Sequence, residues 1–302
     1  MTTPIELNEL TKTYGSRRGL AGLTLTVEPG EVFGYLGPNG AGKSTTIRLL
    51  LDLIRPTAGT ARVLGMDPRT DAVELHRRVG YLAGDFVVDG RQTAGECLHF
   101  LGKLRDGVPT ARIIELADRL ELDLSARIKS LSKGNRQKVG LVQAFMHQPD
   151  LLILDEPTAG LDPLVQQTFL DLVTEAKTAG QTVFMSSHIM SEVEAIADRV
   201  AIIREGRLVA LDTVADLRAR SFLRVRLTFS QPVPAEQFAA LPGVTDLTID
   251  GTTVTCSIDG SPDALIKAAA RHTITGLHAD TQDLEELFHT YYTGEQATVR
   301  AA

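Results

Sequence analysis

A run of nine residues, Gly37-Pro38-Asn39-Gly40-Ala41-Gly42-Lys43-Ser44-Thr45, sets a glycine-rich turn directly ahead of a lysine and two hydroxyls. It fits the spacing G-x-x-x-x-G-K-[ST], with an apolar strand before it and a helix pattern after it, the context in which such a loop holds phosphate. The glycines let backbone N–H groups converge on phosphate oxygens, and the helix N-terminus adds partial positive charge. Lys43 supplies a full charge to the β- and γ-phosphates, and the Ser44 hydroxyl can ligate Mg²⁺. A second group, Leu151-Leu152-Ile153-Leu154-Asp155-Glu156, is an apolar strand ending in two acids. Open α/β sheets bind ligands at that end of their strands. Asp155 is expected in the Mg²⁺ shell, through water. Glu156 is expected to orient the attacking water and accept its proton. Acids at a strand end are ordinarily just solvated; the phosphate loop upstream reverses that reading. These two groups together specify a phosphate-loop ATPase of no particular kind.

The stretch Leu131-Ser132-Lys133-Gly134-Asn135-Arg136-Gln137 narrows the choice. It resembles the LSGGQ signature of ABC transporter ATP-binding subunits, with Lys and Asn at two positions. Tyr14 stands upstream of the phosphate loop, Ala159-Gly160-Leu161-Asp162 follows the acids, and His188 follows Ser186-Ser187. That order resembles a complete ABC nucleotide-binding domain over roughly residues 4 to 215. Lys133–Lys138 and Asp283–Phe288 further resemble bacterial subunits that drive drug or antibiotic export.

The resemblance implies a role for each residue. Tyr14 would stack on adenine, a contact typically worth about 1–3 kcal/mol; a core tyrosine is the plainer alternative. Ser132 and Gly134, with Asn135 beside them, would reach the γ-phosphate bound to a second subunit. Ser132 can also simply cap its own helix, and the two roles are compatible. Asp162 would bridge the dimer near the opposite phosphate loop, and His188 would hydrogen-bond the γ-phosphate and attacking water. His76, His99, His147, His272, His278 and His289 receive no role. One departure stands out. The family carries a glutamine after the Gly80-Tyr81-Leu82 strand, touching Mg²⁺ and relaying nucleotide state; here Gly84 holds that place, with Asp85 next to it. Water at the metal, with Asp85 turned to the membrane partner, is the expectation. Implied overall are ATP and Mg²⁺ as ligands, a second copy of the chain as partner, and a membrane-spanning permease. The expected place is the cytoplasmic face of the membrane, peripheral through that permease.

The elements that must position these residues follow from pattern. Strand candidates are Leu23–Val27, Glu31–Leu36, Val79–Leu82, Leu151–Leu154, Thr182–Ser186 and Val200–Ile203, alternating with amphipathic helices, as in a sheet covered by helices. Extended stretches ahead of Gly37 suggest added antiparallel strands. A helical stretch, about 93–148, interrupts the strands, with Ile113, Leu116, Ala117 and Leu120 on one stripe. Asp162 and Pro163 open a helix whose buried face is Val165, Phe169, Leu172, Val173 and Ala176. The expected first domain, residues 1–219, is thus α/β: a RecA-like core with an antiparallel β subdomain and an inserted helical subdomain. Residues 220–302 predict a small α+β, ferredoxin-like domain in the order β-α-β-β-α-β. Its signals are alternation over Leu223–Phe229, a hairpin at Asp250-Gly251 and a closing helix at Leu284–Tyr292.

Composition removes other classes. The chain has 302 residues, 43% of them apolar, and a net charge of −7 with acids and bases interspersed. A nucleic-acid binder needs a concentrated basic face, so none is expected as a partner. No apolar run approaches the roughly 20 residues that span a bilayer, and no basic-then-apolar leader opens the sequence. Cys97 and Cys256 match no metal spacing and read as buried thiols. A soluble ABC ATPase of translation or DNA maintenance would show a second signature or a long coiled coil, and a small-molecule kinase would lack Leu131–Asn135.

Overall fold

Both faces of the central strands are covered, so their sequences run apolar without alternation. The computed structural model describes residues 2–15, 17–84, 86, 90–105, 107–219 and 223–281. Along the chain come β1 (Ile5–Tyr14), β2 (Arg17–Val27), β3 (Val32–Leu36), α1 (Lys43–Leu50), β4 (Ala58–Val63), α2 (Ala72–Arg78) and β5 (Val79–Leu82). Three helices follow, α3 (Ala94–Lys103), α4 (Thr110–Arg119) and α5 (Lys133–Phe145). Then come β6 (Leu151–Asp155), α6 (Pro163–Thr178), β7 (Thr182–Ser187), α7 (Met190–Glu194), β8 (Arg199–Arg204), β9 (Arg207–Thr213) and α8 (Val214–Ala219). The chain divides into two units, Met1–Val214 and Ala215–Ala302, slightly ahead of the 219/220 boundary expected from the change in strand and helix pattern.

The first unit carries a six-stranded sheet in the order β5-β6-β7-β3-β8-β9, parallel except for β9 at one edge. A separate antiparallel sheet has the order β2-β1-β4. Every residue of β3, β6 and β7 is buried. Register sets Leu36 beside Ser187 and Asp155 beside Ser186, so the C-terminal ends of these three strands meet along one line. Beneath that line Phe33 stacks on Phe184 at 5.9 Å, and Tyr35 lies tilted against the same ring. The Tyr35 hydroxyl shares a 2.9 Å hydrogen bond with Thr46 Oγ1, and burial pushes its pKa upward.

The helical insertion leaves after β5 and returns at β6, its neighbour in the sheet. Thr93 and Glu96 form a reciprocal capping box at the start of α3. Ile113, Leu116, Ala117 and Leu120 are buried as their spacing predicts. In α6 the Asp162 carboxylate accepts the Val165 N–H at 3.0 Å, Pro163 occupies the first turn, and the five predicted residues are buried.

The second unit comprises β10 (Leu223–Phe229), α9 (Glu236–Ala239), β11 (Val244–Asp250), β12 (Thr253–Ile258), α10 (Asp263–Ala269) and β13 (Ile274–Thr281). Its sheet order, β11-β12-β10-β13 with all pairs antiparallel, is the ferredoxin-like arrangement. Val225, Leu227 and Phe229 point into a core with Phe238, Val254, Cys256 and Leu265. The closing helix expected at Leu284–Tyr292 and the Asp283–Phe288 stretch lie outside the described residues.

At the opposite end of the central strands, His147 lies just ahead of β6. Burial, reinforced by the nearby Arg105 cation, depresses its pKa from 6.5 to about 4. Between those values the unfolded chain binds a proton that the folded chain refuses, so stability falls as pH drops through that window. Urea unfolding from pH 6.5 to 4 should therefore show a loss to which His147 contributes roughly one proton. A His147→Gln variant should lose that share of the slope; an unchanged slope would contradict the burial account.

Candidate functional site

The turn after β3 is built around glycine. Gly42 sits at φ +114°, and a Cβ there would come within 2.8 Å of the Gly19 carbonyl, so no other residue fits. That backbone delivers the N-terminus of α1 to a cleft of about 550 Å³, lined by Tyr14, Gly19, Pro38, Asn39, Gly40, Gly42, Lys43, Ser44, Thr45, Arg48 and Glu156. Gly37 and Ala41 are buried in the wall behind it. Lys43 is buried; its ammonium donates to the Gly37 carbonyl at 2.6 Å and pairs with Glu156 Oε1 at 3.0 Å.

The acid pair is positioned by β7. Ser186 Oγ donates to Asp155 Oδ1 at 2.6 Å and also accepts the Glu156 N–H at 3.2 Å. Glu156 leaves the strand at φ +50°, which swings its carboxylate into the cleft while Asp155 stays buried behind it. His188 Nδ1 lies 2.7 Å from Glu156 Oε2, so one carboxylate meets both the phosphate-loop lysine and the histidine. Glu192 accepts from Thr158 Oγ1 at 2.6 Å and from Ser187 Oγ at 2.7 Å, fixing the turn that carries His188.

Tyr14 is 44% exposed at the cleft, which sets aside the core-tyrosine alternative. The Lys12 ammonium lies 5.2 Å from its ring centroid. Gly19 supports the ring closely, since a Cβ there would meet Tyr14 Cε2 at 2.9 Å.

The signature residues are placed differently. Ser132 caps α5 by accepting the Asn135 N–H at 3.2 Å. A Cβ on Gly134 would lie 2.4 Å from the Gly160 carbonyl, so the start of α5 is pressed onto the loop ahead of α6. Gln137 donates to the Glu156 and Pro157 carbonyls at 3.1 and 3.2 Å, tying the same helix to the acid turn. Hydrogen bonding by the Val165 N–H, then the Lys138 ammonium, holds Asp162 below the usual carboxylate range. Among the described residues, Ser132, Gly134, Asn135 and Asp162 line no part of this chain's own cleft.

Sequence reasoning did not find Gly19, Arg48, Gln137 or Glu192. Arg48 was reachable, because it follows Ser44 at helical spacing on α1. Glu192 has no short-range signal; only the fold brings it to Thr158. At Gly84 a Cβ would stand 3.3 Å from Asp155 Oδ2, so the backbone itself abuts the carboxylate. Asp85 lies outside the described residues.

A parallel sheet with a phosphate loop after one strand, an acid pair after another and a histidine after a third defines a phosphate-loop nucleoside triphosphatase. The ABC transporter family model matches residues 20–159. The daunorubicin/doxorubicin resistance ATP-binding protein of Streptomyces peucetius is 40% identical over 239 residues, 76% of this chain and 72% of that protein. The bacitracin transport ATP-binding protein of Enterococcus faecalis is 33% identical over 293 residues, 94% of each. A solved ATP binding subunit of an ABC transporter aligns with a TM-score of 0.66 at 32% identity, over 72% of this chain and 92% of that one. The chain belongs to the ABC transporter ATP-binding family and is an ATPase of that type. Among the described residues no helix is long and apolar enough to cross a membrane.

Ser186→Ala should cost about 1–3 kcal/mol of stability, because it strands a buried Asp155 oxygen without its donor. Urea unfolding at neutral pH measures this. A loss below about 0.5 kcal/mol, the range of neutral surface changes, would show that Ser186 does not hold the acid.

Proposed function

We propose that this chain binds ATP between its own phosphate loop and the signature of a second copy, and that hydrolysis powers export through a membrane-spanning permease. The observation carrying this reading is the split among the nucleotide residues. Tyr14, the phosphate loop and Glu156 line one cleft, whereas Ser132, Gly134, Asn135 and Asp162 stand outside it. A head-to-tail homodimer accounts for both sets, since each cleft is completed only by the partner's α5 start.

Within that composite site Tyr14 stacks on the base, and Lys43 with the α1 N-terminus neutralises phosphate charge. Glu156 accepts the proton of the attacking water, and His188 orients it at the γ-phosphate. Ser44 and Asp155 would hold Mg²⁺, which neutralises charge on the phosphate oxygens. The donors fit. Both are hard oxygens, Ser44 is exposed on α1, and Asp155 Oδ2 is not the oxygen that Ser186 engages. Gly84 has no side chain to reach the metal and Mg²⁺ readily keeps waters, so water fills the remaining coordination position.

Export as the direction rests on relatives whose names specify drug resistance or antibiotic transport. The helical insertion is the segment offered to the permease, which holds the chain on the cytoplasmic face of the membrane. Residues 220–302 form an accessory domain that regulates or stabilises the dimer.

Glu156→Gln keeps the shape and removes the base, so ATP hydrolysis should fall by at least about 10²-fold while binding persists and an ATP-bound dimer appears on size exclusion. Wild-type turnover would remove Glu156 from the chemistry. Ser132→Arg should abolish hydrolysis with ATP affinity of the monomer held within a few-fold. Mixing it with Lys43→Ala should restore one site of two; loss of nucleotide binding by Ser132→Arg alone would instead place Ser132 in its own chain's cleft.

A further inference from the structure

The start of α5 is cationic where a helix start favours an acid. Lys133 is its first residue and Arg136 follows three residues on, with no acid in the first turn to offset either. The partial positive charge of a helix N-terminus makes a cation there unfavourable, so these side chains do not serve the helix. An anion brought to that end reverses the sign of the effect.

Two of the three cations in this part of α5 are turned back into the chain. Arg136 donates to the Leu131 carbonyl at 3.1 Å, and Lys138 is buried with its ammonium 4.0 Å from Asp162. Lys133 is exposed. Its stem nonetheless has a place: a Cβ on Gly160 would touch Lys133 Cγ and Cδ, both at 3.9 Å. The side chain therefore runs along the turn 159–162 and links it to the signature. Both segments carry residues assigned above to the interface with the second copy.

We propose that the Lys133 ammonium donates to the γ-phosphate of ATP held in the second copy's cleft. This rests on the head-to-tail reading of the preceding subsection and adds a charge to it, since the LSGGQ pattern has glycine where this chain has Lys133. With ATP bound opposite, the ammonium meets phosphate oxygens and forms a charge-assisted hydrogen bond. With the γ-phosphate absent, the same ammonium approaches Lys43 of the second copy, cation against cation. Glycine would be indifferent between the two states. Lys133 makes closure of the dimer conditional on the triphosphate and favours its opening once phosphate leaves.

A solvated lysine at a helix end is the plain alternative, and removing the charge separates the two. The test uses the full chain carrying Glu156→Gln, so that bound ATP persists, and measures self-association by sedimentation with Mg²⁺-ATP and with Mg²⁺-ADP. Lys133→Met keeps the stem along Gly160 and removes the ammonium. With ATP it should weaken the dimer by about tenfold or more, and Lys133→Arg should recover most of that loss. With ADP, Lys133→Met should associate no more weakly than its parent. ATP affinity of the monomer, read at protein concentrations below dimerisation, should be unchanged, because the contact is made across the dimer. An undiminished ATP dimer in Lys133→Met would show a solvated lysine, an equal loss in Lys133→Arg a role of shape, and an equal loss with ADP a contact to protein; each would overturn the assignment. Failure of the head-to-tail reading looks different: the Glu156→Gln parent would itself form no ATP-dependent dimer, and both would fall.

Discussion

One carboxylate ties together three strand ends. Glu156 Oε1 holds Lys43 at 3.0 Å and Oε2 holds His188 at 2.7 Å, so the phosphate loop after β3, the acid turn after β6 and the switch turn after β7 share one side chain. The geometry depends on a left-handed backbone at Glu156, an unfavourable conformation for a residue with a side chain. Its surroundings over-determine it: the Glu156 N–H is held by both oxygens of Ser186, and its carbonyl accepts from Gln137. A γ-phosphate entering the loop carries more charge than this carboxylate and competes with it for the Lys43 ammonium. Under the proposed mechanism, nucleotide entry would free Glu156 from Lys43 to act on water, so the two would be one exchange of partners.

That coupling explains which features were legible in sequence. The loop Gly37–Thr45, the capped start of α6 and the alternation in β10 are local, and each follows from neighbours within a few residues. The tie from Gln137 to the acid turn and the Glu192 clamp on Thr158 span 19 to 34 positions and become visible only once the sheet is assembled. β4 was missed for a different reason: five of its six residues are exposed or half-exposed, so it offers no burial period to read. The role of Gly134 was read only across the dimer. Its packing against Gly160 gives it a second role within the chain, and the two are compatible, as with the cap at Ser132.

The two ends of the parallel sheet divide the polar work. At the C-terminal ends, charged groups find one another: Lys43 pairs with Glu156, and Asp155 takes a hydroxyl. At the N-terminal ends of β5 and β6, Arg105 and His147 are brought together as donor and acceptor, and burial holds the imidazole neutral to a pH near 4. A neutral imidazole beside a fixed cation costs less than two buried like charges, which is why the histidine and not the arginine gives up its proton.

The helical insertion begins and ends on β5 and β6, which pair directly from Val79 with Leu151 to Leu82 with Leu154. The sheet therefore closes across the insertion's two ends whatever length of chain lies between them. Of its helices, α5 carries the buried anchor, with Gly140 pressed against Leu82 and Gln137 against the acid turn, while α3 and α4 expose Phe100 and Ile114. For descent with modification this is a division of inheritance. The α3–α4 segment can diverge, lengthen or be exchanged between lineages to suit a new neighbour, and the machinery that splits ATP passes on unaltered.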